Sequence, residues 1–398
     1  MSAAATVPSG QRASADLAAL HTRRVLRARE LMAQDGLDGL LVYSRGHITE
    51  YGAVEFLAGY TPVSRPAYAA ITARTGPVLI VPTPADRWHA ARSGAADEIR
   101  VAGEGDVIST AGSLVGEAIG ALRDAGAARS RIGVAGTGTI LPAGDHRALR
   151  EGLPDAELVA ADGLLAELKA VKQPLEIDHV RSTARLADAG FLAAQAQLRE
   201  GVSPAQLGGA IRERVFSGGA RDALIFVSAE PYFLSWPSEE PLRGGELITV
   251  FVEVVGPSGY WVEVGGLLAL GEPAPRSLAV AEACLEAGRR AEAELHPGRT
   301  AKDVARTVEA VAAEHDLSSG IWHGHGVGVD HDLPVIGAAD ETELQAGMVL
   351  AVHPNFTTAD EQCGASVVDT YEIAASGPRR LSRIPQRILN PEEQRWAT

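Results

Sequence analysis

The chain has 398 residues, 46% of them hydrophobic and 22% charged, the balance of a globular protein long enough for two or three domains. Its net charge of −15 argues against nucleic acid or an anionic membrane surface as a partner, since both demand a basic face. Two cysteines, Cys284 and Cys363, make neither a disulfide framework nor a zinc ligand set. The opening MSAAATVPSGQ has no apolar core and no run is long enough to span a bilayer, so a cytoplasmic protein is expected.

An amphipathic helix is predicted over about 15–35, then a buried strand at 36–44 and a hairpin over 66–82. A helix over 108–125, a strand at 131–136 and a helix near 143–152 complete the alternation of one α/β domain. The boundary falls near LKAVKQP, giving domains 1–170 and 171–398. Pro174 opens a long helix that Gly201 closes, the expected start and stop residues. Further helices are predicted at 275–295 and from Thr300, where Asp303 completes a capping box. Strands are predicted at 223–229, 246–255, 259–270, 347–356 and 365–375, so the second domain reads as α+β.

The chemistry concentrates in WHGHGVGVDHDLP (322–334), where His323, His325 and His331 lie among glycines, with His353 not far beyond. Imidazoles supply metal ligands or acid–base groups that titrate near neutrality, and glycines let backbone approach a ligand closely. GHGVG (324–328) followed by HDLP (331–334) resembles the prolidase, aminopeptidase P and creatinase family. That resemblance extends over nearly the whole chain. It implies a C-terminal pita-bread domain preceded by a smaller creatinase N-terminal-type α/β domain.

In that family five ligands hold two metals: Asp, Asp, His, Glu and Glu. The resemblance puts Glu253 and Glu263, in FVEVVGPSGYWVEVGGLLALG, at the two Asp positions. His325 falls at the His ligand, His353 at the first Glu, and Val368 at the last Glu. Val368 cannot coordinate, and Asp369, its neighbour on a strand, should face the other way. A further catalytic His of the peptidases is replaced by Ser235. The resemblance therefore implies a relative without the bridged two-metal centre, as in creatinase, and no cofactor is expected. One divalent ion held by Glu253, Glu263, His325 and His353 is the alternative.

The expected activity is cleavage, by hydrolysis or elimination, of a small polar nitrogen-containing metabolite. Glu263 is expected to be the acid, Glu253 the ionised anchor, and His331 or His353 the base, with His325 beside them. Ser235, Trp236, Tyr260, His323 and Arg65 are candidate substrate-binding residues. The resemblance implies a homodimer in which the segment around Arg65 reaches the partner's site. A single-metal hydrolase or lyase, an Xaa-Pro peptidase and a non-catalytic binding protein are the competing expectations.

Overall fold

Apolar strands alternating with amphipathic helices build one six-stranded sheet in the first half of the chain. The computed structural model describes residues 9–45, 52–63, 65–92, 95–103 and 113–393. Ser64 and the first part of the helix expected at 108–125 lie outside them. Two compact units result, Met1–Lys169 and Ala170–Thr398.

The first unit runs α1 (Ser9–Gln34), β1 (Gly39–Ser44), α2 (Gly52–Ala58), β2 (Ala67–Thr72), β3 (Val78–Val81), α3 (Pro84–Ala90) and β4 (Glu98–Val101). It continues with α4 (Leu114–Asp124), β5 (Arg131–Val134), α5 (Ala143–Gly152), β6 (Glu157–Ala160) and α6 (Asp162–Ala170). The sheet order is β4-β3-β2-β1-β5-β6. β1, β2 and β3 pair antiparallel and the outer strands parallel, which makes the sheet mixed as expected. The inward face of α4 is Leu114, Ala118, Ala121 and Leu122, in one core cluster with Leu41, Ile80 and Ile132 of the sheet.

The second unit opens with α7 (Pro174–Gln197), where Pro174 occupies the first turn and Gln173 and Glu176 exchange capping bonds. α8 (Pro204–Ser217) follows. It was not expected from the sequence, although Ser203 and Gln206 form a capping box around Pro204. Next come β7 (Asp222–Ser228), β8 (Glu246–Val255), β9 (Trp261–Leu270), α9 (Pro275–Glu292) and α10 (Ala301–Glu314), the last capped by Thr300 and Asp303 as predicted. The remaining elements are β10 (Leu317–Ser319), β11 (Gly324–Val327), β12 (His331–Val335), β13 (Val349–Val352), β14 (Asn355–Thr358), β15 (Gly364–Ser366), β16 (Asp369–Ala374) and β17 (Gly377–Arg380).

Two expected strands are each two. The run at 347–356 breaks at His353-Pro354, because proline has no N–H to donate to a ladder. The run at 365–375 breaks at Val367-Val368 between β15 and β16. The sheets are β7-β8-β9, β10-β14-β15 and β12-β11-β13-β16-β17. Among the described residues no helix is long and apolar enough to cross a membrane.

Candidate active site

β8 and β9 form a long antiparallel hairpin buried on both faces. Its register sets Glu253 directly opposite Glu263. Opposed residues share a face with Cβ atoms about 5 Å apart, and like charges there destabilise the pair. The burial of Val250, Val252, Val254, Val262 and Val264 holds the hairpin together, at about 1.5–3 kcal/mol for each side chain. Thr370 fixes Glu263 further: its hydroxyl accepts from Glu263 N at 3.1 Å and donates to Glu263 O at 2.7 Å. Two buried carboxylates left facing each other need protons or cations between them.

Three histidines stand against them, and two of these, His325 and His331, have raised proton affinity. His325 stands on β11, His331 opens β12 and His353 follows β13. β11 lies between β12 and β13, so all three rings gather at one end of the sheet. Ring centroids are 4.7 Å apart for His325 and His331 and 5.5 Å for His325 and His353. Gly326 is required here, since a Cβ would lie 2.4 Å from the Leu333 carbonyl oxygen of the paired strand.

His325 Nε2 lies 3.1 Å from Glu263 Oε1, and its Nδ1 lies 2.9 Å from the Gly326 carbonyl oxygen. Both ring nitrogens therefore face acceptors, and the ring satisfies both only as an imidazolium. Burial works against that charge, but Glu263 and the Gly326 carbonyl outweigh it and raise His325 to about 9. Burial likewise favours a neutral Glu263, yet His325, His331 and His353 overcome this and hold it at about 2.

His331 Nε2 lies 3.1 Å from Glu253 Oε2 and 3.5 Å from Glu263 Oε1. Burial lowers its proton affinity, but the two carboxylates win and raise it. Glu253 is raised by its own burial first and by Glu263 second. His353, wholly buried, is pushed down to about 4 and is neutral at pH 7. Glu253 Oε2, Glu263 Oε1 and His331 Nε2 are buried within ion-pair distance but are not aligned as hydrogen bonds. They are aimed at one another and at the space a substrate group would enter.

This reverses the expected division of labour. Glu263, expected to be the acid, is the ionised carboxylate, because an imidazolium lies against it. Glu253, expected to stay ionised, is the carboxyl with raised proton affinity. Of the two expected bases, His353 is the neutral imidazole and His331 is bound to Glu253.

The five residues face a cavity of about 340 Å³. Phe233, Phe251, Trp322 and Phe356 give it aromatic walls, and Asn355 and Thr357 contribute neutral polar groups. Of these wall residues the sequence pointed only to Trp322, an aromatic beside the histidine motif that could line a pocket; Phe233, Phe251, Phe356, Asn355 and Thr357 were not singled out. Phe251 carried a usable signal: it lies two positions before Glu253 on a strand, hence on the same face.

Four of the five expected substrate-binding residues belong to this unit but do not line the cavity. Ser235 faces a separate polar depression with Glu230 and Arg243, and Trp236 is 85% exposed. Tyr260 is buried, its hydroxyl donating to Glu176 at 2.8 Å and its ring stacked on His179. His323 is buried behind the strands, its backbone carbonyl accepting from His353 N at 2.9 Å. The fifth, Arg65, belongs to the first unit, where its guanidinium lies 3.7 Å from Asp86.

Metal fit can be judged from the donors. Val368 is fully buried against Phe233 and Phe251 and offers none. Asp369 points away as expected, its Oδ2 lying 2.8 Å from Arg380 Nε. Two divalent ions bring four positive charges, while Glu253 and Glu263 return only two negative ones, and buried charge must be matched. The residues present do not fit a bridged two-metal centre. The four donors expected for one ion do not converge either: Glu263, His325 and His353 form one group of three within 4.8 Å, and Glu253, Glu263 and His331 another. Each group suits a single ion.

Residues 178–375 match the model of metallopeptidase family M24, and residues 24–171 match the creatinase/prolidase N-terminal domain. The chain is 24% identical to an Xaa-Pro dipeptidase of Pyrococcus horikoshii, over 63% of this chain and 73% of the relative. It is 25% identical to a creatinase of a Bacillus species (strain B-0618), over 92% of this chain and 90% of the relative. The crystal structure of the prolidase from Pyrococcus horikoshii superposes with a TM-score of 0.76 at 21% identity, covering 92% of this chain and 100% of that one, a likeness of fold. The chain belongs to the M24 family of prolidases, aminopeptidases P and creatinase, with a creatinase-type N-terminal domain before a pita-bread domain.

Proposed function

We propose that this chain is a hydrolase that cleaves a small nitrogen-containing molecule by Glu/His acid–base chemistry, without a bridged two-metal centre. One observation carries the reading: Val368, which the family resemblance aligns with the last bridging carboxylate, is packed under Phe233 and Phe251 and bridges Gly265, two residues beyond Glu263. The relatives, dipeptidases and a creatinase by name, support hydrolysis. The aromatic walls add an apolar face to the substrate expected from the sequence.

In this reading His353, neutral above about pH 4, takes a proton from water as it attacks the carbon bound to nitrogen. Glu253, whose burial keeps a proton available, donates to the departing nitrogen. Glu263 stays ionised and holds the His325 imidazolium, which faces the negative charge that develops on the attacked group. His331 holds Glu253 in place. The same acid and base would serve an elimination.

The test is Glu253→Gln assayed with parent protein in chelator. Parent activity that survives chelation and a variant slowed by about two to four orders of magnitude, the usual weight of a general acid, support the reading. A second reading, a single-metal Xaa-Pro peptidase, is favoured by the dipeptidase relatives and by the group Glu263, His325 and His353. It predicts activity lost in chelator and restored by one ion.

A further inference from the structure

Behind the catalytic face a buried ion pair joins the start of the second unit to the strand that carries His331. Lys172 Nζ lies 3.8 Å from Asp332 Oδ2, and both side chains are almost wholly buried, 3% and 1% exposed. Successive strand residues face opposite ways, so Asp332 on β12 points to the rear when His331 points into the cavity.

Lys172 is itself anchored. Its backbone N–H donates to Gly347 O at 2.8 Å, its Nζ lies 3.2 Å from Ala170 O, and Val171 bridges to Met348 at the root of β13. The pair thus ties β12 to the segment that leads into His353. Gly328 makes room for it: a Cβ there would lie 2.7 Å from Asp332 Oδ2 and 3.1 Å from Lys172 Cε. The last glycine of GHGVG serves the ion pair, not the cavity. On the front, the His331 ring sits against Trp261, centroids 5.0 Å apart, and the Trp261 backbone N–H donates to Gly328 O at 2.7 Å.

We propose that Lys172 and Asp332 are positioning residues that hold His331 against Glu253 and Trp261. The inference rests on the reading of His331 as the partner of the acid. A buried charge pair is weak evidence for net stability, because desolvation offsets the attraction. Its value here is geometric: an attraction at the rear fixes which way β12 presents its front. Loss of Lys172 leaves the Asp332 carboxylate buried without this cation, and the strand relieves it by moving toward water. His331 then swings off Glu253.

The test is nuclear magnetic resonance of the histidine ring protons in metal-free protein, which needs neither substrate nor turnover. The ring protons of His331, assigned with His331→Gln, are shifted by the ring current of Trp261 and show cross-relaxation with its ring. In Lys172→Met this ring-current shift and cross-relaxation are lost, while the His325 signals stay as in the parent. Where Lys172→Met does not fold, the neutral pair Lys172→Met/Asp332→Asn is measured instead; it removes the attraction without leaving a buried charge, and a partial loss of the same shift and cross-relaxation is expected. A folded variant whose His331 signals match the parent, with only its melting temperature lowered, overturns the positioning role. That failure would leave the Glu/His mechanism standing, and failure of the mechanism in the chelator assay would leave the His331 signals unchanged.

Discussion

Glu263→Gln isolates the contact that sets the charge state of the site. The substitution keeps size and one acceptor but removes the carboxylate from a wholly buried position 3.1 Å from His325 Nε2. Raising a histidine from 6.5 to about 9 corresponds to about 3 kcal/mol. His325 is raised on folding, so this stabilisation is complete below its unfolded value of 6.5 and is lost as pH rises through about 9. Glu263 is lowered from 4.5 to about 2, so the same contact, seen from the acid, is complete above 4.5 and lost as pH falls through about 2. The full effect therefore lies between pH 4.5 and 6.5 and must not be counted twice. For a unit of this size about 3 kcal/mol corresponds to a fall of roughly 6–12 °C in melting temperature. Calorimetry of parent and variant at pH 6 and pH 10, in chelator, should give that fall at pH 6 and little or none at pH 10. An equal fall at both values would refute the ion pair as the source.

Four other outcomes follow from the same geometry. Turnover should rise through about pH 4, as His353 loses its proton, and fall as Glu253 gives up its raised proton and as His325 loses its own at about 9; a profile flat from pH 7 to 10 contradicts the role of His325. Val368→Glu places a carboxylate in an apolar cluster, so its melting temperature should fall and then recover when manganese is added, with no manganese effect on the parent. Trp236→Ala should leave the Michaelis constant unchanged, whereas Trp322→Ala, which strips a cavity wall, should raise it by about tenfold. Light scattering should give a dimer, the assembly proposed from the family resemblance, and a monomer would remove the proposed role of Arg65 in a neighbour's site.

Much of the frame was legible from local signals. Pro174, Thr300 and Asp303 marked helix starts that the structure places there. The hairpin was legible too, because GPSG is a turn and the flanking runs are rich in valine. Folding that hairpin on its turn already sets Glu253 opposite Glu263. The electrostatic assignment was not legible. Which glutamate keeps its proton depends on which imidazole lands on which carboxylate, and that follows from the β11–β12 register and its irregularity between His325 and Gly326. Spacing along the chain carries no such information. Trp236, Tyr260 and His323 were singled out for nearness in sequence to the motifs, and Ser235 because the resemblance puts it at a catalytic His. Loop direction turns Ser235 and Trp236 away and strand alternation turns Tyr260 away from the Glu263 face, while His323 lies just before β11 with its ring toward Glu309.

The central claim is that a proton on His325 and one shared by His331 and Glu253, rather than two metal ions, neutralise the opposed glutamates. Elemental analysis of the purified protein, paired with activity in chelator, tests it most directly. The account predicts far less than one divalent ion per chain and activity that chelator leaves intact. Two ions per chain, with activity abolished by chelator and restored by metal, would contradict it.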